Sequence, residues 1–201
     1  MVDNCIAIFK TVNPNIIMEL KKAEKDGLLG IAKQSIAYYL ENRRKPAVKE
    51  IGFYGAAFVT LMKKGELRGC IGTLDPYRDL AQDVSDNAMN SAFGDPRFGP
   101  VDRSELNSLN IEVSVLTPKE KFSGTPNEFM AYISKEKCGV IIEKGWNRAT
   151  FLPDVWKMLP DVNEFLSELS LKAGLSKDGW KQCEWYVYSS IAFSEDWKNI
   201  K

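Results

Sequence analysis

Apolar residues recur at three- and four-residue steps through Leu28, Leu29, Ile31, Ala32, Ile36, Tyr39 and Leu40, which predicts an amphipathic helix. The cations Arg43, Arg44 and Lys45 suit the C-terminus of that helix, and Pro46 stops it, so this basic run reads as a helix end. A shorter helix is expected earlier, with Asn13 as N-cap, Pro14 as first residue, and Ile16, Ile17 and Leu20 on its buried side. Beyond Pro46 the period changes. Residues 55–62 carry Ala57, Phe58, Val59 and Leu61, Lys64-Gly65 makes a turn, and residues 66–73 return as a second strand. Leu80, Ala81, Val84, Ala88 and Ala92 restore the helical step until Gly94, and residues 95–100 form a loop. From Asn110 to Thr117 the alternation is strict, with Ile111, Val113 and Val115 on one face and Glu112 and Ser114 on the other.

In the second half, Thr125-Pro126-Asn127-Glu128 is a capping box with proline at the first helical position, and Phe129, Tyr132 and Ile133 supply the buried stripe. A strand is expected at 139–143, a turn at Gly145 and a partner strand at 148–152. Asp161 to Glu164 cap a helix bearing Phe165, Leu166, Leu169 and Ala173, with Gly174 at its end, and Trp185 to Phe193 reads as a last strand. Helices and hairpins alternate without a regular strand–helix–strand rhythm. The expected class is α+β, with mixed, largely antiparallel sheets.

The chain has 201 residues, enough for one domain or two packed halves. Lys plus Arg and Asp plus Glu are both 27, so the formal net charge is zero, which argues against nonspecific nucleic-acid binding. Trp156, Trp180, Trp185 and Trp197 lack an interleaved basic stripe and read as core or rim residues rather than a base-stacking surface. No apolar run reaches the length of a membrane span, and Asp3 and Asn4 stand where a signal peptide would carry positive charge. Cys5, Cys70, Cys138 and Cys183 are widely spaced and are expected to be reduced thiols in a cytoplasmic protein.

The sequence has no histidine, which excludes Ser-His-Asp and Cys-His triads and every imidazole metal site. No Walker A loop occurs, and Gly69-Cys70-Ile71-Gly72 lacks the spacing of a dinucleotide loop, so no metal and no cofactor is expected. One segment stands apart. Leu67-Arg68-Gly69-Cys70-Ile71-Gly72-Thr73 joins two glycines, an arginine and a thiol in a single strand. Glycine inside a strand marks a bulge or a close approach of backbone or ligand. Arg68 could hold a carboxylate or phosphate, and Cys70 beside a guanidinium could be nucleophilic or simply a small buried hydrophobe.

Leu-Arg-Gly-Cys-Ile-Gly at 67–72, Asp-Pro-Arg-Phe at 95–98 and Ile-Glu-Val-Ser-Val-Leu at 111–116 closely resemble the AMMECR family. So do Thr-Phe-Leu-Pro-Asp-Val-Trp at 150–156 and Leu-Lys-Ala-Gly-Leu at 171–175. The resemblance runs from about residue 26 to 195, which leaves 1–25 as an N-terminal extension and 196–201 as a tail. It implies an α+β domain of two subdomains packed around a cleft. It also implies a radical S-adenosylmethionine enzyme and a Memo-like protein as partners, and it carries over no reaction. Two readings stay open. In the first, the protein is a binding or adaptor module that recognises an anionic ligand or partner with Arg68, Gly69, Cys70, Gly72, Asp95, Arg97 and Thr150. In the second it is an enzyme or enzyme subunit, with catalytic candidates Cys70, Arg68 and Glu112, in which a carboxylate replaces histidine as base. Asp95 and Arg97 could equally be a structural loop pair, and Glu112 the polar face of a half-buried strand.

Overall fold

The computed structural model describes residues 20–200. The expected helix at Asn13-Pro14 therefore lies outside the described residues, as does Cys5. The first described helix, α1 (Lys22–Asn42), buries Leu28, Leu29, Ala32 and Ile36 on one stripe. It ends where Arg43 turns left-handed (φ 53°) and donates its N–H back to the Tyr39 carbonyl.

Strands β1 (Ala57–Lys63) and β2 (Glu66–Gly72) form the expected hairpin. Both turn residues have positive φ, 54° at Lys64 and 83° at Gly65, as a tight turn matched to strand twist requires. The register slips once. Leu61 faces Gly69 and Met62 faces Leu67, so Arg68 is the extra residue of a β-bulge. β1 also pairs with β3 (Leu109–Leu116), and with β8 (Ser190–Asp196) they make a sheet in the order β2-β1-β3-β8. Val59, Leu61, Ile111, Val113 and Val115 are fully buried in one core cluster with residues of α1 and of α2 (Leu80–Phe93).

A second sheet is ordered β4-β7-β5-β6, from β4 (Glu120–Phe122), β7 (Glu184–Tyr188), β5 (Gly139–Lys144) and β6 (Asn147–Phe151), with all its pairings antiparallel. Its core is shared with α3 (Pro126–Glu136), capped as expected by Thr125 and Glu128, and α4 (Val162–Lys172), capped by Asp161. Aromatic rings dominate there: Phe129 stacks on Trp185 and Trp156 on Phe165, with centroids 4.8 and 3.9 Å apart. The architecture is α+β with antiparallel sheets, and among the described residues no helix is long and apolar enough to cross a membrane.

One expectation changes. The single last strand at 185–193 is two strands, β7 in the second sheet and β8 in the first. The break falls at Ser189, whose N–H donates to Thr117 Oγ1 and whose carbonyl accepts the Thr117 N–H, both at 2.8 Å. Those bonds satisfy the backbone locally where the strand leaves one ladder for another. The chain accordingly divides into two compact units, one of residues up to Leu116 together with 191–200, the other Thr117–Ser190.

Candidate functional site

The segment singled out in the sequence is an edge strand of the first sheet, so its outer backbone groups need partners from elsewhere. Side chains supply them. On the outer edge, Asp95 accepts the Cys70 N–H at 2.9 Å and Arg97 Nη2 donates to the Cys70 carbonyl at 3.2 Å; on the inner side, Ser91 Oγ accepts the Ile71 N–H at 2.8 Å and donates to the Val59 carbonyl of β1 at 2.7 Å. The Asp95–Arg97 pair thus occupies the place of a neighbouring strand. Asp95 is 4% exposed and also accepts from the Arg97 backbone N–H, Nε and Nη2 at 3.1, 3.0 and 2.7 Å. Bonding to Arg97 holds the Asp95 carboxyl well below the usual carboxylate range, and the same pairing raises Arg97.

The two glycines are packing positions. A Cβ on Gly69 would lie 2.1 Å from the Ser91 carbonyl oxygen of α2, and one on Gly72 would lie 2.2 Å from the ring of Phe58, its cross-strand partner. Glycine lets helix and ring approach the strand, which is the close-approach role its presence in a strand signals.

Arg68 and Arg97 differ in what remains of them. The bulge aims Arg68 at a loop and a short 3₁₀ turn (Arg103–Ser108). Its Nε and Nη2 donate to the two Glu105 carboxylate oxygens at 3.1 and 3.0 Å, and Nη1 and Nη2 donate to the carbonyls of Gly99 and Pro100 at 2.9 and 3.1 Å. Four of the five guanidinium donors are engaged, on a side chain 16% exposed. Glu105, bound chiefly by Arg68 and also by Lys63 at 2.7 Å, is drawn down to about 2. Arg97 is anchored through Nε and Nη2, stands over the Phe98 ring at 5.4 Å, and is 54% exposed, with Nη1 outside every bond among the described residues.

On the sheet face opposite the helices, Cys70 on β2, Thr60 on β1 and Glu112 on β3 stand side by side in register. All three are half-buried, and the Thr60 hydroxyl donates to Cys70 Sγ at 3.3 Å. Glu112 also lies 3.4 Å from the Ser114 hydroxyl. Adjacent strands are about 4.8 Å apart, so a whole strand separates the thiol from the carboxylate. Thr150 belongs to the second unit. Its hydroxyl donates to the Val140 carbonyl at 2.9 Å and lies 2.8 Å from the hydroxyl of Tyr188, whose titration burial pushes up. The structure therefore brings together Arg68, Gly69, Cys70, Gly72, Asp95, Arg97 and, two strands away, Glu112, and it leaves Thr150 in a separate sheet.

Sequence reasoning missed Glu105, Thr60 and Ser91, which complete these contacts from 37, 10 and 20 residues away. Only the capping box at Asp102, where Glu105 is the third residue, could have flagged Glu105. It also missed the interior of α2. Asp83, fully buried, accepts from Ala57 N–H, Thr73 Oγ1, Asn87 Nδ2 and Arg78 Nε at 2.9, 2.6, 3.0 and 2.8 Å. Asp79 caps the same helix and accepts the N–H groups of Ile51, Gly52 and Phe53.

Among known proteins, the chain is similar to one from Methanopyrus kandleri, 37% identical over 193 residues that cover 89% of this chain and 91% of that one. A Methanothermobacter thermautotrophicus protein is 43% identical over 145 residues, 69% of this chain and 74% of its own. The crystal structure of the uncharacterized protein PH0010 from Pyrococcus horikoshii matches with a TM-score of 0.82 and 33% identity, over 88% of this chain and 94% of that one. The AMMECR1 family model matches residues 29–193, and the chain belongs to that family.

Proposed function

We propose that the protein is a binding module that recognises an anionic group through Arg97 at the edge of β2, beside Cys70. One observation carries this reading: Arg97 is fixed by Asp95 through Nε and Nη2, yet half-exposed with Nη1 left over. A guanidinium already held in place loses little entropy when a carboxylate or phosphate meets its remaining donors. Arg68 has little such capacity, because Glu105 and two carbonyls take four of its five donors on a side chain only 16% exposed. Asp95 neutralises the charge of Arg97, so recognition would act by directed hydrogen bonds at short range and depend only weakly on salt. The radical S-adenosylmethionine enzyme and the Memo-like protein implied by the family resemblance are the partners to try first.

The test is titration of uniformly ¹⁵N-labelled protein with inorganic phosphate. A saturable shift of the Arg97 Nε–Hε signal and of the Cys70 and Phe98 amides is expected. The amide shifts should be lost in Arg97→Lys, which keeps the ion pair with Asp95 and removes the second fork. No shift, or the same shift of neighbouring amides in Arg97→Lys, would count against the reading.

A second reading, chemistry at the Cys70 thiol with Glu112 as base, is favoured by one contact, the Thr60 hydroxyl on Sγ. To pass the thiol proton to Glu112 across the intervening strand, the Thr60 hydroxyl would turn to accept from Sγ–H and donate to the carboxylate. Thr60→Val should then slow alkylation of Cys70 by iodoacetamide, whereas a binding surface predicts no slowing.

A further inference from the structure

The first unit holds a groove of about 270 Å³ lined by Lys33, Ala37, Leu40, Glu41, Arg103, Leu106 and Trp197. Lys33, Ala37, Leu40 and Glu41 fall at four- and three-residue steps along α1, so one helical face forms one wall. Leu106 and Arg103 come from the 3₁₀ turn opposite, and Trp197 from just beyond β8. Ala37, Leu40 and Leu106 are partly buried against the core of this unit, which gives the groove an apolar floor. Charges stand over it. Lys33 lies 5.6 Å from the centre of the Trp197 ring and gives one of its three donors to the Ile200 carbonyl at 2.6 Å. Arg103 Nη2 meets Glu41 at 3.0 Å in a pair whose side chains are 69% and 59% exposed.

Trp197 supplies the second observation. It is 6% exposed, yet its indole N–H makes no hydrogen bond to any described residue. Trp156 and Trp185 differ, donating to the carbonyls of Cys138 and Trp180 at 2.8 and 2.7 Å. No fully buried side-chain nitrogen or oxygen among the described residues is left unpaired, so the Trp197 Nε1 reaches the surface, and the surface this residue has lies in the groove wall. An indole donor on a largely buried ring, a partly satisfied ammonium and a loosely held guanidinium thus line one groove with an apolar floor. That is the composition of a small-molecule site, apolar lining with a few directed polar groups.

We infer that this groove binds a small organic carboxylate, its hydrocarbon body on Ala37, Leu40 and Leu106 and its carboxylate on Trp197 Nε1–H and Lys33. Arg103 is a third donor, reached by displacing Glu41. The site is separate from Arg97 and does not depend on the function proposed above. Glu41 sets the affinity: its carboxylate competes with the ligand for Arg103 and repels it, so removing that charge strengthens binding.

The test is titration of ¹⁵N-labelled protein with hexanoate up to about 20 mM, the range in which a ligand this small is expected to bind, with hexanol as the uncharged control. Hexanoate should shift the Trp197 indole N–H downfield and saturate, while hexanol moves only the resonances of the apolar floor. Lys33→Met should weaken hexanoate binding, and Glu41→Gln should tighten it, each by about two- to fivefold, the range of a partly exposed charge pair. Glu41 is exposed and Lys33 half-buried, and neither belongs to the buried core, so both test the site without removing core volume. An unmoved Trp197 indole signal, equal responses to hexanoate and hexanol, or Glu41→Gln binding no better than wild type would each overturn the inference. Arg97→Lys should leave hexanoate binding unchanged, which separates failure here from failure at the β2 edge.

Discussion

The interiors of the two units are built from different materials. In the first, α2 carries Asp83, Ser85, Asp86, Asn87 and Ser91 into the protein, with Asp79 buried at its N-cap and Asp95 just past its end. In the second, the described residues bury Ser170 and no charged side chain, and stacked rings fill the core. Aromatic packing needs volume and shape and tolerates exchange of one apolar group for another of similar size. Buried carboxylates need every donor in place, because an unpaired one costs more than its bonds return. In the first unit these carboxylates fix loops. Asp79 holds residues 51–53, Asp83 ties β1 to Thr73, and Asp95 seals the edge of β2. The difference places positional precision in the unit that carries Arg97.

The largest effects should come from breaking this difference directly. Asp83→Ala strands the four donors around it and should cost about 3–5 kcal/mol in urea unfolding. Phe165→Ala in the aromatic core should cost about the same by leaving a cavity. The near-isosteric changes then separate the two: Asp83→Asn should still cost about 2–3 kcal/mol, because charged hydrogen bonds are lost, whereas Phe165→Leu should cost under about 1.5 kcal/mol. Equal losses for these two variants would contradict the account.

Gly69→Ala comes next. Its Cβ would meet the Ser91 carbonyl at 2.1 Å, backbone that cannot rotate away, and about 1–3 kcal/mol of overpacking is expected. A variant as stable as wild type would show that α2 can shift off the strand.

Arg68→Met should cost about 1–3 kcal/mol, since Glu105 and two carbonyls lose their donors. It should also alter the acid limb. The native Glu105 carboxyl, at about 2, is more acidic than in the unfolded chain. Its contribution is therefore complete above the unfolded value of about 4.3 and is lost as pH falls from there through about 2. Stability measured from pH 6 to pH 2 should fall less steeply in Arg68→Met than in wild type, and parallel curves would remove Glu105 from the clamp.

Much of this fold is legible in the sequence, for identifiable reasons. Lys64-Gly65 and the alternation around it announce the β1–β2 hairpin, and Thr125 with Glu128 announces α3, because the signals are local. The Asp95–Arg97 pair is legible as one of two open readings, but its bonds to the Cys70 backbone are not. What escapes is set by distant partners. Arg68 reads as an anion binder until Glu105 is folded against it, and the bulge that aims it there leaves no trace in the hydrophobic pattern. The run 185–193 reads as one strand because a change of sheet at Ser189 preserves alternation. Tryptophan burial is legible by type: Trp156, Trp180, Trp185 and Trp197 are all under 8% exposed. Trp146, at the tip of the β5–β6 hairpin beside Gly145, is 102% exposed and carried no expectation.

Arg97 and Arg68 give the smallest expected stability effect and the sharpest functional contrast. Arg97→Lys keeps the charge and the ion pair but gives up one guanidinium bond to the buried Asp95 carboxylate, and should cost about 0.5–1.5 kcal/mol. The most direct measurement follows phosphate binding and unfolding together in wild type, Arg68→Met and Arg97→Lys. The account predicts that Arg68→Met melts early and still binds, while Arg97→Lys melts closer to wild type than Arg68→Met and does not bind. Loss of binding in Arg68→Met with normal binding in Arg97→Lys would contradict it.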